Sequence, residues 1–374
     1  MKNKERVLCA MSGGVDSSVA ARLLLDAGYE VIGVTMVLRA NEDVPESCSE
    51  DILLQASPEA RDARSVASTL GIEHVVVDYR DLFNNKVINP FCQAYLGGLT
   101  PNPCVECNKY LKFGALHNLR RQLNCDYLAT GHYAQIRFNE NTQTFELCKG
   151  LDPRKDQSYV LYHLQQDDLS HTLLPLGGLS KNETRVLAEQ AGFTNAQKEE
   201  SQDICFIPDG DYASFIESYS KCNLAPGPIV DKQGTVLGNH KGLMHYTIGQ
   251  RKGLGVAVGE PLFVIRKECE SNTLVVGRES ETGVCRIVAD KVSIPSNDDF
   301  SKVISVEVKI NYRARLRHGS AQINGSTLVI EFDEPIRGAA PGQAVVLYQG
   351  DRVVAGGTIV SYESAPPAKR VICS

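Results

Sequence analysis

Three features predict a doubly wound α/β domain with a parallel sheet, followed by a small β-rich domain and a C-terminal β-barrel. Short apolar runs alternate with helical stretches over roughly the first 130 residues. A Ser-Gly-Gly turn leaves the first of these runs, where such folds bind ligands. After about residue 210 the helices give way to short β runs split by Gly and Pro.

Arg6-Val7-Leu8-Cys9-Ala10-Met11 reads as a buried strand, and Val15 to Ala27 as a helix with Val19, Leu23 and Leu24 on one face and Gly28 as its stop. Glu30 to Leu38 is a second strand, Pro58 to Leu70 a helix stopped by Gly71, and Glu73 to Tyr79 a third strand. Helices over Leu82 to Tyr95 and Lys109 to Leu123 lead to a strand at Cys125 to Thr130. Segment 40–57 is polar and acidic and reads as a loop. Asp211 to Ser220 is the last helix. Runs at 227–231, 234–238, 261–266 and 273–277 then form the middle domain, and from 283 the chain is strand and turn, ending with 344–348 and 353–362. The expected domains are 1–210, 211–282 and 283–374.

The composition is that of a soluble globular protein, 43% hydrophobic and 22% charged, and no apolar run is long enough to span a membrane. Twelve cysteines at irregular spacing, with no export signal ahead of them, indicate thiols in a reducing, cytoplasmic setting. A net charge of −6 argues against a nonspecific nucleic-acid coat. The charge is uneven: residues 1–210 carry 20 Lys+Arg against 28 Asp+Glu (net −8), and residues 211–374 carry 19 against 17 (net +2). A shaped RNA or a small molecule therefore remains a candidate partner.

Ser12-Gly13-Gly14-Val15-Asp16-Ser17-Ser18 joins strand to helix. Its glycines admit close backbone approach, and the N–H groups at the helix N-terminus favour an anion. It is neither a Walker loop nor a dinucleotide fingerprint. The motif is similar to the PP-loop of enzymes that cleave ATP between the α and β phosphates and adenylate a substrate oxygen.

Thr100-Pro101-Asn102-Pro103-Cys104-Val105-Glu106-Cys107-Asn108-Lys109 reads as a proline-braced loop just before a helix. The nearby helix N-terminus, Lys109 and Lys112 are expected to lower the Cys107 thiol pKa. A second Cys-x-x-Cys, which structural zinc would need, is missing. Cys205, between Ile204 and Phe206, reads on its own as a core residue. Tyr312-Arg313-Ala314-Arg315-Leu316-Arg317 reads as a β segment with Arg313, Arg315 and Arg317 on one face, suited to backbone phosphates or to a solvated edge.

Taken in order, SGGVDSS, TPNPCVECNKYLKF, ATGHYA, KDQSY, SQDICFIPDGDY, GNHKGLMHYTIGQRKGLG and PGQAVVLY resemble the tRNA-specific 2-thiouridylases over essentially the whole chain. The resemblance implies a PP-loop domain of the adenine nucleotide alpha hydrolase type and a tRNA-binding barrel. It also implies ATP-dependent adenylation of the C2 oxygen of a wobble uridine, then replacement of that oxygen by sulfur with release of AMP and pyrophosphate. On this basis Ala10, Met11, Ser12, Gly13, Gly14, Val15, Asp16, Ser17, Met36 and Gly131 would bind ATP, with Mg2+ accompanying it. Cys107 would be the nucleophile and Cys205 the persulfide carrier, and the two could close a disulfide. Asn102, Pro103 and Cys104 would meet the target base. His132, Lys155, Asp156, Gln157, Tyr312, Arg313 and Gln343 would face the tRNA.

The implied partners are tRNAs for Lys, Glu and Gln and a sulfur donor such as a cysteine desulfurase or relay protein, with no membrane involved. Many members carry Asp where this chain has Cys104. The resulting trio Cys104, Cys107 and Cys205 leaves two readings open, a persulfide relay or a [4Fe–4S] cluster with one open iron. Two other functions fit the phosphate loop: a PP-loop synthetase acting on a small metabolite, which would not need paired cysteines or a basic barrel, and a noncatalytic nucleotide- or RNA-binding protein, which would not release pyrophosphate.

Overall fold

The computed structural model describes residues 4–39, 44–45, 48–193, 204–221, 225–256, 258–296 and 298–365. In the first part β1 (Arg6–Ala10), β2 (Glu30–Val37) and β3 (Glu73–Asp78) alternate with α1 (Val15–Asp26), α2 (Glu50–Ala56) and α3 (Pro58–Leu70). The helix α2 corrects the expected loop over 40–57. Leu53 is buried against Val37, Ala60 and Val76, and one apolar anchor suffices to fold a polar turn onto the sheet. The boundaries of α3 are dictated locally: Ser57 Oγ accepts from the Ala60 N–H at 3.1 Å, Pro58 starts the helix, and Gly71 ends it in the left-handed region.

Next come α4 (Arg80–Phe83), a π-helical stretch over Asn84–Ile88, and α5 (Asn89–Leu96). After them α6 (Pro103–Cys107), a second π stretch over Asn108–Ala115 and α7 (Leu116–Gln122) run on as one helix. The expected loop through Cys104 and Cys107 is therefore helical. Asn102 Oδ1 accepts from the Cys104 N–H at 3.1 Å and caps a helix that Pro103 can begin without a lost hydrogen bond. Then follow β4 (Tyr127–Ala129), β5 (Ala134–Asn139), β6 (Thr144–Lys149), α8 (Gln166–Ser170), β7 (Thr172–Leu173), α9 (Lys181–Gln190) and α10 (Tyr212–Ser220). The sheet order is β3-β2-β1-β4-β7, all parallel, with Leu8 paired to Ile32 on one side and to Leu128 on the other. Strand order reverses between β1 and β4, which opens a crevice at their carboxyl ends.

The middle part is a four-stranded sheet of β8 (Gly227–Val230), β9 (Val236–His240), β10 (Phe263–Glu268) and β11 (Thr273–Gly277), in the order β10-β11-β8-β9. The last part comprises β12 (Val284–Ser293), β13 (Ile304–Lys309), β14 (Arg317–Asn324), β15 (Thr327–Ile336), β16 (Ala344–Gln349) and β17 (Arg352–Ser364). Because β12 pairs with both β15 and β17, these six strands close into a barrel and leave no free edge among them. The β5–β6 hairpin extends that sheet, with Arg352 opposite Cys148. One core cluster accordingly contains Leu8, Val34 and Leu128 of the parallel sheet and Ala344, Val346, Tyr348 and Val353 of the barrel.

The arginine segment departs from expectation. Residues 312–316 form a turn and an irregular link, and β14 begins only at Arg317. Asn311 makes the turn: its side chain accepts from the Arg313 N–H at 3.0 Å and its carbonyl from the Ala314 N–H at 3.2 Å. The three guanidinium groups therefore do not share a strand face, although all three residues are exposed.

Candidate functional site

The phosphate loop leaves β1 at the switch point. Ser12, Gly13 and Gly14 have no regular structure, and α1 begins at Val15. Gly13 has a φ of +68°, and a Cβ there would lie 2.6 Å from the Glu59 carbonyl oxygen, so only glycine fits. The serines tie the turn inward: the Ser12 N–H donates to Ser17 Oγ at 3.1 Å, and Ser17 and Ser18 donate to the Gly14 carbonyl at 3.1 and 2.9 Å. Gly131, at the end of β4, closes against the same loop, and a Cβ there would meet Asp16 C and Ser17 N at 2.9 Å.

Behind the loop, Thr35 Oγ1 donates to the Met11 carbonyl at 2.8 Å and lies 2.8 Å from His74 Nε2. Arg64 Nε donates to His74 Nδ1 at 2.9 Å. Burial, reinforced by Arg64, lowers the His74 pKa to about 4, so the ring is neutral. Sequence reasoning also missed Lys181 and Tyr133. Lys181 Nζ donates to Asp16 Oδ1 at 2.6 Å, and the Tyr133 hydroxyl reaches the same oxygen at 2.8 Å. The Ser180-x-x-Glu183 capping box that starts α9 is legible in the sequence, but its Lys181 meets a partner 165 residues away.

Cys107 is buried at the end of α6, and Cys104 is exposed one turn earlier. Cys205 is exposed just ahead of Phe206 and Ile207, which are buried in the cluster that also holds Cys107. The three thiols lie within electrostatic reach of one another and of Lys112. Desolvation dominates there. It raises Cys107 to about 11 against a smaller opposing pull from Lys112, and it raises Cys104 and Cys205 as well. This corrects the expectation of a lowered thiol pKa, because the helix terminus and lysine do not outweigh burial. Among the described residues no three His, Cys, Asp or Glu side chains are gathered as metal ligands, so the thiol trio does not form a ready cradle for an iron–sulfur cluster.

The barrel meets the cysteine segment directly. The Thr100 N–H donates to the Pro341 carbonyl at 2.8 Å, and a cavity of about 320 Å3 lies between Thr100, Phe263, Asn311 and Gln343. The other RNA candidates divide. Tyr312 and Arg313 are exposed, and Lys155 and Gln157 are half-buried. His132 is buried, with Nδ1 2.6 Å from Thr130 Oγ1. Asp156 is buried and accepts from the Gly150 N–H at 3.0 Å, the Ser158 N–H at 3.1 Å and Ser158 Oγ at 3.1 Å. These two brace their own segment. Met36 is half-buried at the end of β2.

A glycine-serine loop at the switch point of a parallel sheet, with cysteines and a barrel arranged around the next helix, defines a nucleotide-binding α/β enzyme of the PP-loop class. Family models match three successive stretches: a tRNA methyl transferase HUP domain over residues 5–209, a tRNA methyl transferase PRC-barrel domain over 213–278 and an aminomethyltransferase β-barrel domain over 286–359. The chain is 43% identical over 361 residues to tRNA-specific 2-thiouridylase MnmA of Acetivibrio thermocellus, covering 96% of this chain and 99% of that one. It is 44% identical over 356 residues to the protein of the same name from Clostridioides difficile, covering 95% and 98%. For that of Heliobacterium modesticaldum the identity is 46% over 360 residues, covering 96% and 93%. The chain belongs to the tRNA-specific 2-thiouridylase family.

Proposed function

We propose that the protein thiolates C2 of the wobble uridine in tRNAs for Lys, Glu and Gln, acting in the cytosol. The observation that carries this reading is a phosphate loop and the three thiols Cys104, Cys107 and Cys205 within one matched domain, residues 5–209. Residues 10–17, Met36 and Gly131 hold ATP, and Mg2+ accompanying it would offset the phosphate charge. The uracil C2 oxygen attacks the α phosphate, pyrophosphate leaves, and the oxygen becomes part of an AMP leaving group. Asn102, Pro103 and Cys104 receive a base turned out of the anticodon stack. Lys155, Gln157, Tyr312, Arg313 and Gln343 hold the RNA, with His132 and Asp156 supporting that surface. The units 1–210, 211–282 and 283–374 then divide the work into chemistry, linkage and RNA grip.

For sulfur delivery we favour the persulfide route over a cluster, since among the described residues the three thiols are not gathered as a metal-ligand set. A donor protein charges Cys205. The terminal sulfur of the persulfide bonds to C2 and AMP departs with the oxygen. Cys107 then attacks Cys205 Sγ, which forms a Cys107–Cys205 disulfide and leaves the bonding pair on the sulfur now held by the base. A thiol reductant resets the enzyme.

The test is mass spectrometry of nucleosides from unmodified tRNA incubated with enzyme, ATP and a cysteine desulfurase with cysteine. The expected product is 2-thiouridine, formed with stoichiometric AMP and pyrophosphate. Pyrophosphate release that needs no tRNA would instead favour a synthetase acting on a small metabolite.

A further inference from the structure

Asp16 poses an electrostatic problem for the phosphate loop. It stands in the first turn of α1, beside the N–H groups that favour an anion, and a carboxylate there repels a polyphosphate. Its side chain is 32% exposed, so its charge is not sealed inside the fold. Lys181 offsets it: its side chain is only 7% exposed and Nζ lies 2.6 Å from Asp16 Oδ1.

The position of Lys181 is fixed from several sides. It begins α9, where Ser180 and Glu183 form a capping box, and its own N–H donates to Asp152 Oδ2 at 3.3 Å. Asp152 in turn pairs with Arg154, in the segment that leads to Lys155 and Gln157. Tyr133, whose hydroxyl donates to the same Asp16 oxygen, lies 3.0 Å from Thr184 Oγ1 one turn further along α9. The backbone of Tyr133 is bonded to Gln157 in both directions, through its N–H to Gln157 Oε1 at 2.9 Å and through its carbonyl to the Gln157 N–H at 2.8 Å.

We propose that Lys181 is a positioning residue for nucleotide binding: it neutralises Asp16 and holds its carboxylate to one side, so that the loop presents a net attractive field to the ATP phosphates. This rests on the nucleotide reading of the loop. Lys181 acts through Asp16, so its effect follows the charge of the ligand and disappears when Asp16 is uncharged.

The experiment measures binding of a non-hydrolysable ATP analogue and of adenosine to the full-length protein by calorimetry in EDTA, for the parent and for Lys181→Met, Lys181→Arg, Asp16→Asn and Asp16→Asn/Lys181→Met. Lys181→Met is expected to weaken the ATP analogue about 30-fold, as for an uncompensated charge several ångströms from the phosphates, and to leave adenosine unchanged. Lys181→Arg keeps the charge and stays near the parent. The double variant recovers affinity close to that of Asp16→Asn.

A double variant as weak as Lys181→Met would mean that Lys181 grips the phosphates itself and would overturn the positioning role. Equal losses for ATP analogue and adenosine would reduce Lys181 to a fold-stabilising ion pair and also overturn it. A parent protein that binds adenosine and the ATP analogue equally would instead sink the phosphate-loop reading on which the inference rests.

Discussion

The phosphate loop and the thiol residues lie in the same matched stretch, residues 5–209, but are built on opposite terms. The loop comes from seven successive residues, its turn is fixed by its own serines, and its anion-attracting groups are in place before any ligand arrives. The thiol site draws on residues 104, 107 and 205, of which only Cys107 is buried, and desolvation raises the pKa of all three and favours the protonated thiol. The first is preorganised for binding. The second is held back in the free protein. A thiol kept protonated reacts slowly with oxidants, whereas a permanently charged thiolate would be oxidised readily.

The sharpest way to break this comparison is to remove each site in turn. Cys107→Ser and Cys205→Ser are expected to lower 2-thiouridine formation by at least about a thousand-fold, since no other group replaces a sulfur nucleophile. ATP binding should persist in both. Ser17→Ala, which removes the hydroxyl that ties the loop together, should show the reverse pattern, with pyrophosphate release lost and tRNA binding by filter assay nearly intact. Full thiolation by Cys205→Ser would show that the two cysteines do not share a site.

Gly131→Ala probes the preorganised side alone. The added methyl meets the Asp16 and Ser17 backbone at 2.9 Å, neither of which can yield without moving the loop. Destabilisation of about 1–3 kcal/mol in urea unfolding is expected, with a matching rise in the KM for ATP. An unchanged melting curve and KM would mean that the loop is softer than its hydrogen bonds imply.

The held-back side is read by pH. The folded pKa of Cys107 is raised from 9.0 to about 11, so its thiolate fraction keeps rising between pH 9 and 10, where an ordinary thiol levels off. Iodoacetamide labelling of the Cys107 peptide, followed by mass spectrometry, should therefore accelerate close to tenfold per pH unit from pH 7 to about 10. Adding tRNA and an ATP analogue should move the curve to lower pH if the complex activates the thiol. A plateau near pH 7 in the free enzyme would contradict a protonated resting state.

The same contrast governs what could be read from the sequence. The loop, its strand and its helix were legible because every determinant is local: glycines, a hydroxyl pattern and helical periodicity. The parallel sheet followed from the same alternation. The helical start at Pro103 was less visible, since Asn-Pro reads equally as a turn and as a cap. The β5–β6 hairpin could not be foreseen as part of the barrel sheet, because its partner strand lies some 200 residues on. The Asp16–Lys181 ion pair is hidden for the same reason. The thiol pKa was misjudged because local charges are written in the sequence, whereas burial is not.

The smallest expected effect concerns the RNA grip, where the structure weakened one argument without removing its charges. Arg313, Arg315 and Arg317 are not a strand-face ladder, but they remain exposed on a turn that leads into β14. Tyr312, at the start of that turn, lies near the cation of Lys309, 5.5 Å from its ring centre. A turn presents guanidinium groups in diverging directions, so fewer of them can meet phosphates at once than on a flat strand. Each phosphate contact contributes about 0.7–0.9 to the slope of log K against log salt. Replacing all three arginines by Gln should lower that slope by roughly one to two, less than the nearly three units of a ladder. The measurement is tRNA affinity by fluorescence anisotropy from 50 to 300 mM KCl. A drop near three would restore the ladder in the bound state. No change would make the arginines a solvated face and shift the grip to Lys155, Gln157 and Gln343.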